Sequence, residues 1–200
     1  MRSLGPLIAL TLASAGGCSG LKGRPFDPTL EGRELYLCCN VGFDGGFVTS
    51  DANYRRYRSG NGYIPRPMLA AGTRVRVTKV GESAVAFQTP GSSATYTLTF
   101  AFGHKQLSAG QYFQRILLET NPLDAVRDVP APIADAIREG RLVPGMTKDE
   151  ALIARGYPPA HRTPSLAASE WLYYETGAFV DRVTFVDDRI RSVVLEPAPQ

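Results

Sequence analysis

The sequence predicts an α+β protein in which a strand-rich segment precedes a smaller unit of helix and sheet. Residues 34–102 contain several short runs with strand character, separated by glycine-rich turns. Residues 140–195 begin with a capped helix and continue with three short strand-like runs. Because short strands joined by tight turns are typical of small antiparallel barrels and sandwiches, we expect one of these two architectures for the first segment.

The strand-rich segment also contains a basic and aromatic loop. Residues 74–80 and 95–100 alternate polar with apolar side chains, which is the pattern of a half-buried strand. Between the predicted strands, residues 54–63 combine arginine, tyrosine and glycine. This loop is either simply solvated or a contact surface for an anionic partner, and on the second interpretation Tyr57 and Arg58 are its contact residues.

The helix of the C-terminal unit is predicted from its ends. Thr147 with Glu150 three residues later forms a capping box, in which each side chain accepts a hydrogen bond from the other residue's backbone N–H. Gly156 supplies the stop, and Pro158 follows it. A helix of about two turns does not persist alone, so it must dock on the sheet that follows.

The strands of this unit show which side chains face the helix. Trp171 and Tyr173 share one face by the period of two, and we expect them to pack on the helix. Leu172 and Tyr174 then occupy the opposite face, where we expect an exposed binding surface. Asp187 and Asp188 interrupt two strand-like runs and predict a hairpin turn.

Four short motifs occur in order in this region. They are Gly145-Met146-Thr147, Gly156-Tyr157-Pro158, Trp171-Leu172-Tyr173 and Val183-Thr184-Phe185-Val186-Asp187. Together they resemble the BamE (SmpA/OmlA) family of bacterial envelope lipoproteins, over about a third of the chain. The resemblance implies a domain at residues 131–196 with two helices, the first at residues 133–139, followed by a three-stranded antiparallel sheet.

The N-terminus has the features of a bacterial lipoprotein leader. A basic tip and a short apolar run precede Gly16, Gly17 and Cys18, and this run is too short to span a membrane as a helix. Residues 1–17 are predicted to be a signal peptide, cleaved before a lipidated Cys18. With Ser19 after the cysteine, the lipoprotein pattern favours the periplasmic face of the outer membrane. An ordinary signal peptide with a fortuitous cysteine is the alternative.

The rest of the chain divides into a tether at residues 18–32, a β-rich domain at residues 33–120 and the BamE-like domain. Three prolines between residues 120 and 132 favour a boundary there. The formal net charge of +3 at pH 7 is nearly balanced, and no basic stripe dominates the sequence. We therefore predict no nucleic-acid partner.

Cysteine and histidine provide no clear chemical site. Cys38 and Cys39 either form a vicinal disulfide or stay unpaired, and because neighbouring strand residues point to opposite faces we expect them unpaired. His104 and His161 lie far apart without metal-ligand spacing. We predict no metal site, no cofactor and no catalytic residue.

The functional prediction is a non-enzymatic lipoprotein that binds a protein partner in the cell envelope and serves its assembly or maintenance. The first alternative is an inhibitor, since β-lactamase inhibitor proteins resemble the same helix–helix–sheet unit. The second is a cryptic hydrolase that joins one histidine to an acid and a nucleophile. The predicted partner-binding residues are Leu172, Tyr174, His161, Arg162, Tyr57 and Arg58.

Overall fold

The computed structural model describes residues 27–45, 47–49, 56–59, 62–65, 67–100, 107–176 and 178–199. The predicted signal peptide, Cys18 and His104 lie outside these residues, as does most of the predicted tether. Two 3₁₀ helices span Pro28–Leu30 and Pro122–Val126. In chain order, the other elements are β1 (Glu34–Leu37), β2 (Val41–Asp44), β3 (Phe47–Thr49), β4 (Arg56–Ser59), β5 (Gly62–Pro65), β6 (Met68–Leu69), β7 (Arg74–Val80), β8 (Ala84–Gln88), β9 (Thr95–Thr99), α1 (Ala109–Ile116), β10 (Leu117–Leu118), α2 (Ala131–Arg138), α3 (Lys148–Arg155), β11 (Glu170–Tyr174), β12 (Phe179–Val186) and β13 (Arg189–Pro197).

The described strands form three sheets. The largest has eight strands in the order β10-β1-β7-β8-β9-β3-β2-β6. Its neighbouring strands are antiparallel except for β3 and β9, which run parallel. Strands β4 and β5 form a separate hairpin, and β11, β12 and β13 form a three-stranded antiparallel sheet.

The predicted antiparallel barrel or sandwich is wrong, because the eight-stranded sheet is open and contains a parallel pair. Helix α1 contributes Tyr112, Phe113 and Ile116 to the same buried cluster as Val75 and Phe87 of the sheet. A helix therefore helps to cover the buried face that closure or a second sheet was expected to cover. Alternation along a strand identifies the inward-facing residues, but it does not say what packs on them.

Helix α3 begins and ends where its capping residues predict. The Thr147 hydroxyl accepts from the Glu150 N–H at 3.2 Å, and the Glu150 carboxylate accepts from the Thr147 N–H at 2.7 Å. Gly156 has φ +84°, a left-handed conformation that glycine adopts without the steric penalty of a side chain. The predicted capping box and glycine stop are confirmed.

The three-stranded sheet packs one face on helices α2 and α3. Trp171, Tyr173, Val183 and Phe185 belong to one buried cluster with residues of both helices, among them Ala136 and Ala154. Asp187 and Asp188 have φ values of 50° and 58° and form the tight turn between β12 and β13. Two positive φ values match the twist of a two-residue hairpin, so the predicted turn is confirmed.

The prediction for Cys38 and Cys39 is wrong, because the two residues are joined by a disulfide. Strand β1 ends at Leu37, and the cysteines form a bend before β2 begins. The rule that side chains alternate between faces applies only within a strand, so it does not hold at this bend. Both cysteines are buried in the core of the large sheet.

Asn40 follows this bend and joins the large sheet to the helices. Its side-chain amide donates to the carbonyls of Ile137 in α2, at 2.5 Å, and of Ala154 in α3, at 2.9 Å. Its side-chain oxygen accepts from the Ala71 N–H at 3.0 Å. Because all these groups are buried, the side chain of Asn40 satisfies polar atoms that have no access to water.

The predicted division of the chain into a β-rich domain and a BamE-like domain stays a prediction.

Candidate functional site

The loop that follows α3 runs along the free edge of β11. The Thr163 hydroxyl accepts from the Leu172 N–H at 3.1 Å, on the side of β11 that does not pair with β12. Tyr174 lies on the face of the sheet opposite the helices, and its hydroxyl accepts from the Arg162 guanidinium at 3.1 Å. The ring of His161 stacks on the ring of Tyr174, with 6.2 Å between centroids.

The structure therefore brings together four of the six predicted partner-binding residues. We call His161, Arg162, Leu172 and Tyr174 the Arg162 surface. Of these, His161 is exposed, whereas Leu172 and Tyr174 are half-buried rather than exposed as expected. The physical reason is the loop itself, which contacts both residues. Whether this surface binds a partner stays a prediction.

The other two predicted residues are placed only by their backbone. Tyr57 and Arg58 lie in β4, which pairs with β5 in the separate hairpin. Their side chains lie outside what the structure describes. A role for this hairpin beside the Arg162 surface therefore stays a prediction.

Arg162 has neutral hydrogen-bond partners. Besides the Tyr174 hydroxyl, its guanidinium donates to the carbonyl of Pro199 at 2.9 Å. Among the described residues, no carboxylate lies within ion-pair distance of this guanidinium. Both partners orient the guanidinium without a countercharge from the described residues, so the surface favours an anionic group.

A second arginine on the same face of the sheet is neutralised. Arg182 lies between Glu170 and Glu196 on the neighbouring strands and forms ion pairs with both. Its hydrogen bonds to Glu196 raise the pKa of the Arg182 guanidinium and lower the pKa of the Glu196 carboxyl. Arg182 therefore differs from Arg162, which has no carboxylate partner among the described residues.

Sequence reasoning missed an ionic cluster on the helix side of the sheet. Arg155, the last residue of α3, is 4% exposed and pairs with Asp181 at 2.7 Å and with Glu175 at 3.2 Å. It also donates to the carbonyl of Tyr174 and lies 5.4 Å from the ring centroid of Tyr173. The signal was present, because Asp181 has the inward register of Val183 and Phe185 and a buried carboxylate requires a cation.

This cluster lines a pocket of about 270 Å³ between α3, the loop before it and the sheet. Arg141, Leu142, Val193 and Leu195 complete the lining. Both carboxylates already bind Arg155, so they act as ion-pair partners and do not offer a free base. We interpret the pocket as a structural feature.

The remaining observations concern catalysis and the membrane. In the described part of the chain, no hydrogen bond joins His161 to an acid or a nucleophile. Within the same residues, no group of three or more His, Cys, Asp or Glu side chains is placed to hold a metal ion. None of the described helices is long and apolar enough to cross a bilayer.

The buried Tyr173 lies at the C-terminal end of α3. The Tyr173 hydroxyl donates to the carbonyl of Gly156 at 2.9 Å. Burial raises the pKa of Tyr173 above its ordinary value, so the hydroxyl keeps its proton and remains a donor. This bond fixes the point at which the chain leaves α3 and enters the loop of the Arg162 surface.

The chain was compared with protein families, curated proteins and solved structures. No family model, curated protein or solved structure matches the chain. The resemblance to BamE therefore stays a prediction from the four motifs.

Proposed function

We propose that the protein is a non-enzymatic lipoprotein, held by lipid on Cys18 at the periplasmic face of the bacterial outer membrane, which binds an acidic segment of a protein partner. It serves assembly or maintenance of the cell envelope. The leader sequence and the resemblance to BamE support the location. The observation that supports the binding role is the Arg162 surface, where an oriented guanidinium has no carboxylate partner among the described residues and donates to the hydroxyl of Tyr174, whose ring stacks on His161.

The composition of this surface fits a protein contact. Arginine and tyrosine are enriched among the residues that dominate binding energy at interfaces. A hydrogen bond already orders the side chains of Arg162 and Tyr174 before any partner binds. Side chains that are ordered before binding lose less conformational entropy when the partner arrives, so this arrangement favours affinity.

Replacement of Arg162 by Glu is expected to reduce capture of the partner at least about tenfold, because a carboxylate facing an acidic segment costs several kcal/mol. The measurement is quantitative mass spectrometry after crosslinking in membranes that carry the lipidated protein. Arg76→Glu is the matched control, since Arg76 is an exposed arginine on strand β7 of the other sheet. Equal capture by the Arg162 variant and the wild type would contradict the proposed surface.

Replacement of Cys18 by Ser is expected to abolish incorporation of a fatty-acid label, because the thiol that carries the lipid is lost. Two or three acyl chains anchor a protein firmly, whereas one gives only marginal binding. Metabolic labelling and the intact mass of the mature protein measure this directly. The control is Ser19→Ala, which keeps the cysteine. An unlabelled wild-type protein that begins elsewhere would instead favour a secreted form and the inhibitor alternative.

A further inference from the structure

Strand β13 is an edge of the three-stranded sheet, and its pairing with β12 shifts register at Arg191. Its first two residues pair with the loop before α3, since Gly145 donates to the carbonyl of Ile190 at 2.8 Å and Ile190 donates to that of Met146 at 2.7 Å. From residue 191 to residue 197, no described strand or loop pairs with its outer side. In the two larger sheets the other edges are short or covered, because β6 and β10 have two residues each and Thr163 caps β11.

The unpaired part of β13 carries apolar side chains on both faces of the sheet. Val194 is 52% exposed on the outer face, and Leu195 is 58% exposed on the helix side. Native proteins generally avoid a long, apolar edge strand, because its unpaired N–H and C=O groups recruit another strand. Between the register shift at Arg191 and Pro197, this edge therefore offers a short apolar stretch that another strand can pair with.

The charges of β13 are complementary to those of an antiparallel copy. Arg191 stands near its start, and no carboxylate of the described residues pairs with it. Near its end, Glu196 and Glu170 share the single cation Arg182, which leaves one excess negative charge. When two copies run antiparallel, the basic start of each strand lies near the acidic end of the other. A parallel arrangement would align like charges.

We infer that β13 pairs with β13 of a second copy of this chain and extends the sheet to six strands across a two-fold axis. The register that we expect places Val194 opposite Val194 of the partner subunit. Val193 then faces Leu195 and Ser192 faces Glu196, so apolar meets apolar and hydroxyl meets carboxylate. Shifting the pairing by two residues in either direction opposes Val194 to Ser192 or to Glu196. The inference does not depend on the proposed function, since it uses a different edge of the sheet.

Cysteine crosslinking in whole cells tests this register on the full chain, whether or not Cys18 carries lipid. Opposite residues of antiparallel strands lie about 4.5–5.5 Å apart between Cα atoms, within reach of a disulfide. The substitution Val194→Cys is expected to give a covalent dimer under mild oxidation. Val186→Cys is the matched control, because Val186 is 54% exposed on β12 of the same sheet. This variant is expected to give no covalent dimer. The native Cys38 and Cys39 are bonded to each other.

Sedimentation is a second measurement that decides the inference if the introduced cysteine disturbs folding. Sedimentation in detergent is expected to show a dimer for the wild type and for Val186→Lys, and a monomer for Val194→Lys. A monomeric wild type would overturn the inference. So would equal crosslinking at positions 186 and 194, or a crosslink from position 194 to another protein only. None of these results depends on whether Arg162 binds a partner.

Discussion

Replacement of Asn40 by Asp is expected to lower the free energy of unfolding by about 3–5 kcal/mol. The side chain is 5% exposed, and its amide donates to the carbonyls of Ile137 and Ala154. Aspartate would place an oxygen, and at neutral pH a negative charge, against two buried carbonyl oxygens. Both carbonyls lie in the last turns of helices; that of Ile137 also accepts from the Gly140 N–H at 3.1 Å.

Chemical denaturation followed by the fluorescence of Trp171 measures this loss, because Trp171 is buried and is the single tryptophan of the chain. The matched control is Asn121→Asp. Asn121 caps the second 3₁₀ helix by accepting from the Leu123 N–H, and aspartate accepts equally well at such a position. A loss at Asn40 no larger than at Asn121 would show that Asn40 does not join the sheet to the helices.

Replacement of Arg155 by Met is expected to cost about 3–5 kcal/mol of stability, since it removes the cation from a buried ionic cluster. Glu175 and Asp181 would then face each other with side chains that are each 14% exposed. The same denaturation measurement reports the effect. Adding Asp181→Asn to this variant is expected to restore part of the stability, because it removes one of the two uncompensated charges.

A surface arginine provides the comparison for Arg155. Arg138 pairs with Asp135 on helix α2, and its side chain is 70% exposed. Exposed pairs of this kind contribute about 0–1 kcal/mol, so Arg138→Met is expected to have little effect. If the two methionine variants lose the same stability, the cluster around Arg155 is not a buried network.

Local features of this fold could be predicted from the sequence because they depend on neighbouring residues. The capping of α3 by Thr147 and Glu150 involves residues three apart, and the turn at Asp187 and Asp188 lies between two adjoining strands. The arrangement of the large sheet could not be predicted in the same way. The parallel pairing of β3 with β9 joins residues far apart in sequence, and no local pattern encodes it.

The same distinction applies to the candidate site. Alternation within a strand is local, so the sequence predicted that Leu172 and Tyr174 lie on the face of the sheet opposite Trp171. It did not predict that the loop carrying Arg162 and Thr163 contacts them, since a loop without regular structure gives no direction. Asn40 and Arg155 were also missed, because their importance comes from carbonyls and carboxylates contributed by distant elements.

The most direct measurement of the proposed function is photo-crosslinking from position 161 in native membranes. A photoreactive residue at His161 is expected to label an acidic segment of an envelope protein, with the label lost when Arg162→Glu is added. The same probe at Ser93, an exposed loop residue at the large sheet, is expected to give no such adduct. Adducts that are identical at both positions, or that persist with Arg162→Glu, would contradict a binding role for the Arg162 surface.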